Sequence, residues 1–290
     1  MQRGMIIPDN IVFSGNLNDD NMQQAMHYLL NDAEDNCEIV LSNNLVTPAQ
    51  LDMLISALSN PHCPSGLHIM LDHCDLSSDH INQFAALFRE NKCPRGVLFN
   101  FEYNHIGDGA IELLTELLIN NEISPGTEFK LQNNFEITEN AIKKLAEAFP
   151  HNTSVTMLEI DTHDDVRAYT AALVSDDCPI APLAAPRYQS TFEFCALRNR
   201  LLLQYQHDPE LRYYIEKLSA DAGFPLPGHT ENVPSLRFFS LWANIRSGRV
   251  LDTGFPEKGF ETLRQLADDM QVINNSIGPE NDDFWHCNIL

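Results

Sequence analysis

The sequence predicts an α/β solenoid, with a parallel sheet on its concave side and helices on its convex side, followed by a small all-α domain. Three observations predict it: a repeat at an offset of 30 residues, a helical apolar spacing inside each repeat, and a proline-rich stretch that stops the pattern. A chain of 290 residues with 43% hydrophobic content can bury a sizeable core in one or two domains.

The repeat is read by self-comparison. Ile39-x-Leu41-x-x-Asn44-x-Val46 falls on Ile69-x-Leu71-x-x-Cys74-x-Leu76 and on Phe99-x-Phe101-x-x-Asn104-x-Ile106. Helical positions follow suit: Leu51, Leu54 and Leu58 align with Ile81, Phe84 and Phe88, and these with Ile111, Leu114 and Leu118. Pro64-Ser-Gly66, Pro94-Arg-Gly96 and Pro125-Gly126 punctuate the units before each new strand. Looser matches at Ile11-x-Phe13-x-x-Asn16, Phe129-x-Leu131-x-x-Asn134 and Leu158-x-Ile160-x-x-His163 extend the array to about six units of 28–31 residues over 1–175. The end units decay: Ile137 sits one place late and His163 stands where Asn or Cys is expected, as terminal caps of a stack allow.

Each unit is a short strand with inward apolar residues, a sharp turn, and a helix such as Pro48–Leu58 or Asp79–Phe88 with apolar spacing of three and four. The side chains of Asn16, Asn44, Cys74, Asn104 and Asn134 are expected to satisfy backbone groups in the turns, forming a structural ladder. Neither face of a unit can be buried alone, so neighbours stack. This pattern resembles the ribonuclease-inhibitor-like class of leucine-rich repeats over roughly residues 9 to 174. The resemblance implies the solenoid and nothing about ribonuclease.

Residues 176–187 carry three prolines at 179, 182 and 186, which no helix or central strand accepts, and are read as a linker. A helical domain over 188–274 follows, with segments at Thr191–His207, Pro209 to Gly223 behind an Asp208 cap, Pro234–Ser247 and Glu257–Asn274. Leu197, Leu201, Tyr205, Tyr214, Ile215 and Leu218 are its candidate core, and it is expected to cover the last repeat. A flexible tail over 275–290 ends in Cys287-Asn288-Ile289-Leu290, which fits a prenylation pattern with Leu favouring geranylgeranyl. Upstream, Glu280, Asp282 and Asp283 replace the usual basic residues and the nearest other cysteine is Cys195, so Cys287 is expected to carry a lone lipid that is directed to less anionic internal membranes or depends on a partner.

An acidic tail beside such an array is similar to leucine-rich repeat effectors that intracellular Gram-negative bacteria inject into host cells by type IV secretion. That resemblance implies a protein secreted into a host cell, acting in the host cytosol or on the cytoplasmic face of internal membranes, where prenyltransferase is available.

Lys and Arg number 18 against 41 Asp and Glu, a net charge of −23, which repels nucleic acid and favours a basic protein partner. No apolar run is long enough to span a bilayer, and no secretory leader is expected at the start. The seven cysteines, at 37, 63, 74, 93, 178, 195 and 287, include no Cys-x-x-Cys pair and are expected to be reduced thiols of a chain made in a cytosol. Nucleophile elbows, phosphate loops and His-Glu-x-x-His are absent, so no catalysis, cofactor or metal is expected. His163-Asp164-Asp165 and the trio His68, Asp72, His73 suit a divalent ion in type, but they read as ordinary exposed positions of an acidic array. The alternative function is an enzyme whose helical domain modifies a substrate held by the repeats, with Cys178, Cys195 and His229 as its candidates. A ubiquitin-ligase chemistry is disfavoured, since no cysteine has Asp two residues later.

The strand register points the remaining residues into the arc. Val40, Met70, Asn100 and Lys130 form one row, Asp72, Glu102 and Gln132 the next, and His73, Tyr103 and Asn133 a third. Met70, Asp72, His73, Asn100, Glu102, Tyr103, Lys130 and Gln132 are therefore the candidate contacts for a host protein.

Overall fold

In the computed structural model, residues 5–7, 10–13, 15, 17–161, 187–204, 206–207, 209–221 and 226 are described. Strands occur where a short apolar alternation ends in a turn. They are β1 (Met5–Ile7), β2 (Asn10–Val12), β3 (Glu38–Val40), β4 (His68–Met70), β5 (Leu98–Asn100), β6 (Thr127–Lys130) and β7 (Val155–Glu159), in that spatial order. From β2 to β7 the six strands are parallel. β1 was not foreseen; it folds back antiparallel on β2, pairing Met5 with Val12. A chain of three residues carries too little pattern to be read as a strand on its own.

Register follows the repeat. Ile39 pairs with Ile69, Ile69 with Phe99 and Phe99 with Phe129, each 30 residues on, and all four are buried. Parallel strands need a crossover, and the helices supply it: α1 (Asp19–Asn31), α2 (Pro48–Leu58), α3 (Ser78–Gln83), α4 (Ala85–Arg89), α5 (Asp108–Ile119) and α6 (Glu139–Ala148). The chain is thus α/β with a parallel sheet and helices, the class the sequence predicts.

Helix starts are set by local chemistry. Thr47 accepts from the Gln50 backbone N–H at 3.3 Å and Gln50 Oε1 accepts from the Thr47 N–H at 3.1 Å, with Pro48 at the first position. One expectation is revised: the helix expected over Asp79–Phe88 is two pieces, broken at Phe84, whose N–H donates to Ile81 O at 3.0 Å in a tightened turn. Phe84 and Phe88 occupy slots that Leu54 and Leu58 fill one unit earlier. Their larger rings pack edge-on against Phe99 at 5.5 and 5.8 Å, and the tightened turn accommodates them. Phe99 in turn stacks on Phe101 at 5.6 Å and on Phe129 at 5.7 Å, so the core is aromatic at its centre.

By contact the chain divides into two units, Met1–Leu203 and Gln204–Leu290. The first unit includes nearly all of α7 (Arg187–Gln204), whose residues close the open edge at β7. Along the array the carbonyls of Cys37, Leu67 and Val97 each accept a strand N–H from the next unit. Val155 holds the equivalent place in β7, and Asn199 Nδ2 donates to its carbonyl at 2.8 Å. Arg198 donates to Pro150 O and Asn152 O, Arg200 to Thr156 O, and Phe192 packs on Phe149 at 5.8 Å. Side-chain donors of a helix thereby substitute for the backbone of a missing strand. The second unit contains α8 (Pro209–Asp221) among its described residues, with Ile215 and Ser219 buried. Arg187, expected to end the linker, instead opens α7, so the helix expected over Thr191–His207 runs over Arg187–Gln204. Residues 176–186 of the expected linker, the segments over 234–274, the tail and Cys287 lie outside the described residues, as does Asn16.

Candidate protein-binding face

The residues expected on the face are brought together by the sheet register. Val40, Met70, Asn100 and Lys130 lie side by side on β3 to β6. Met70 and Lys130 are half-buried, and Lys130 Nζ sits 3.8 Å from Glu159 Oε2. Asn100 differs from its neighbours: it is 4% exposed, and its Oδ1 accepts from the Glu102 N–H at 3.0 Å, so it offers a visitor little surface. In the next row Asp72 Oδ1 accepts from Ser42 Oγ at 2.5 Å, and Gln132 Nε2 donates to Glu159 Oε2 at 2.7 Å. Gln132 Oε1 is buried and has no hydrogen-bond partner among the described residues.

The third row has an unusual backbone. Asn43, His73, Tyr103 and Asn133 all adopt left-handed conformation, with φ of 60°, 55°, 53° and 61°. Asparagine tolerates this region, but histidine and tyrosine there cost on the order of 1 kcal/mol each. The turn is held by backbone bonds to the next unit, from His73 N–H to Glu102 O at 3.2 Å and from Tyr103 N–H to Gln132 O at 3.1 Å. Both side chains are exposed, and their rings stack at 4.4 Å and 19°. Asp72 Oδ2 lies 3.4 Å from His73 Nδ1 on one flank. Nothing in residue type announced this conformation; only the shared offset of 30 from the Asn43 turn does.

Beneath the face runs the ladder. Asn104 Nδ2 donates to Leu71 O, Phe101 O and Glu102 O at 2.9–3.1 Å, while its Oδ1 accepts from the Cys74 and Leu76 N–H groups at 3.0 Å. Asn134 does the same for Phe101 O, Leu131 O and the Ile106 N–H, and Asn44 for Phe13 O, Leu41 O and the Leu17 N–H. At Cys74 the thiol donates to Leu41 O at 3.2 Å.

Just past the ladder, on the rim, a further column was missed from sequence: Leu45, Asp75, His105 and Phe135. Leu45 is 76% exposed and Phe135 64%. His105 bridges two neighbours, with Nε2 3.3 Å from Asp75 Oδ1 and Nδ1 3.6 Å from Glu136 Oε1. The exposed apolar pair at equivalent positions was the available signal.

Among the described residues, Cys63, Cys93 and Cys195 are poorly placed for nucleophilic chemistry. Burial pushes the Cys195 thiol up to about 11 and the Cys63 thiol up to about 12, and burial also raises Cys93. Cys178 and His229 lie outside the described residues. Among the described residues no group of His, Cys, Asp or Glu is arranged to hold a metal ion, and no helix is long and apolar enough to cross a membrane.

No protein-family model matches the chain, and no curated protein matches it. Among solved structures it is similar to the actin-binding site 2 of leiomodin-1, at 16% identity and a TM-score of 0.47, over 67% of this chain and 97% of that one. It is also similar to a tropomodulin C-terminal domain from Caenorhabditis elegans, at 16% identity and a TM-score of 0.43, over 64% and 97%.

Proposed function

We propose that the chain is a non-enzymatic protein-interaction module: a leucine-rich repeat solenoid whose concave face grips a basic partner protein. The observation that carries this reading is the His73–Tyr103 stack, two large side chains exposed side by side on backbone that is costly for both. Strain of this kind persists where the surroundings over-determine it, and an exposed aromatic pair beside Met70 and Lys130 suits recognition. The acidic balance supports a basic partner through steering. The reading extends to an effector delivered into a host cytosol and tethered there by a prenyl group on Cys287, on the strength of the Cys-Asn-Ile-Leu tail and the repeat resemblance.

The test has two arms. Intact-mass measurement after expression in animal cells should show a prenyl adduct that is lost in Cys287→Ser; an unmodified parent would end the tether. Affinity capture from host lysate should recover a partner with the parent and lose it with Met70→Arg. Equal recovery by both would remove the concave face from the proposal.

A further inference from the structure

We infer that the rim strip running from Leu45 to Phe135 seats an extended peptide segment of the partner that carries arginine between two apolar residues. This rests on the interaction-module reading and narrows it to one strip and one ligand chemistry. Leu45, Tyr103 and Phe135 are three of the four exposed large hydrophobic side chains among the described residues, and all three stand on the turns that follow the strands. Leu45 and Phe135 occupy equivalent positions three sheet steps apart, and at roughly 4.8 Å per strand this separates them by about 14 Å. An extended chain advances about 3.3 Å per residue, so apolar side chains about four residues apart would reach both ends.

The centre of the strip selects the residues in between. Asp75 and Glu136 are 62% and 64% exposed, and His105 stands between them with its ring nitrogens 3.3 and 3.6 Å from their carboxylates. Among the described residues no Lys or Arg forms an ion pair with Asp72, Asp75, Glu102 or Glu136, so the centre of the strip is acidic and complements a cationic group on a partner. Beside these carboxylates Tyr103 is 49% exposed and stacked on His73, which fixes the plane of its ring. A guanidinium is planar, stacks on aromatic faces and pairs with carboxylates, a combination an ammonium lacks. The strip therefore reads apolar, acidic–aromatic, apolar, and its complement is apolar, arginine, apolar.

The test is fluorescence anisotropy of the full chain with three labelled peptides: Leu-Gly-Arg-Gly-Leu, whose first, third and fifth side chains share one face when extended, the same peptide with Glu for Arg, and the same with Ser for Leu. The first should bind, weaken at high salt, and bind at least about tenfold better than either of the others. Asp75→Asn with Glu136→Gln should cut its affinity about tenfold, as should Tyr103→Ala, while Phe135→Ser should weaken the leucine peptide and leave the serine peptide unchanged. These side chains are exposed, so the variants should melt with the parent by circular dichroism. Absent binding, equal binding of the Arg and Glu peptides, or indifference to these variants overturns the inference. If Met70→Arg abolishes partner capture while rim variants capture as the parent does, the strip is wrong and the module reading stands. Unchanged capture by both sets removes both.

Discussion

Asn104 concentrates more obligatory bonding than any neighbour, since one side chain serves three carbonyls and two N–H groups across two units. Truncating it strands Leu71 O and the Cys74 and Leu76 N–H groups in the interior, while Phe101 O and Glu102 O keep Asn134 Nδ2 and the His73 N–H; each unmet group costs about 1–3 kcal/mol. Asn104→Ala should therefore lose about 3 kcal/mol or more in urea unfolding, and a loss under about 1 kcal/mol would mean that water replaces the amide. The buried thiols set a second expectation. In the unfolded chain they ionise near 9.0, whereas burial holds Cys74 and Cys195 neutral up to about 11 and Cys63 up to about 12. The unfolded state therefore releases protons first, and stability should fall as pH rises from 9 towards 11. Urea midpoints taken across that window should drop, and the slope should flatten in Cys195→Ala. The ladder asparagines were legible because their residue type states their task. His73 and Tyr103 were legible as exposed but not as left-handed, because conformation at those places is imposed by the next unit.

At the scale of the element, the strand starts depend on a glycine column. Gly126 has φ +84°, and a Cβ built there would lie 3.2 Å from Gly96 Cα and 3.4 Å from Leu203 Cδ2. Backbone cannot yield as a flexible side chain does, so Gly126→Ala combines left-handed strain with a close contact. It should lower stability by about 1–2 kcal/mol, a change that calorimetric melting resolves, and an unchanged melting temperature would show that the adjacent turns at Gly96 and Gly126 give way freely. The Pro-x-Gly and Pro-Gly punctuation made this column readable from sequence. The helices were readable as well, from apolar spacing and from the Thr47–Gln50 cap. The break at Phe84 was not, because periodicity counts apolar residues and is blind to ring volume.

Across the whole first unit, stability depends on how the parallel sheet ends. A parallel stack has two open edges, and here a three-residue antiparallel strand covers one while the donors of α7 cover the other. Asn199→Leu would remove the amide that serves Val155 O and leave a buried carbonyl bare. We expect a loss of about 2 kcal/mol with increased self-association on size-exclusion chromatography; a monomer of parental stability would show that Asn199 is dispensable to the cap. The sequence places a helix after the prolines but cannot show that Arg198 and Asn199 face β7, since their partners lie 44–48 residues away. Contacts so remote leave no periodic trace.

The common step of 30 residues has a genetic consequence. Recombination that copies or excises one full module, such as residues 67–96, keeps the ladder, glycine and buried strand positions each opposite an equivalent position on the far side of the join. Each added module would widen the face by about 4.8 Å, while a cut of any other length would misalign all three columns at once. The width of the sheet is therefore a quantity that lineages can lengthen or shorten in whole increments without redesigning either end.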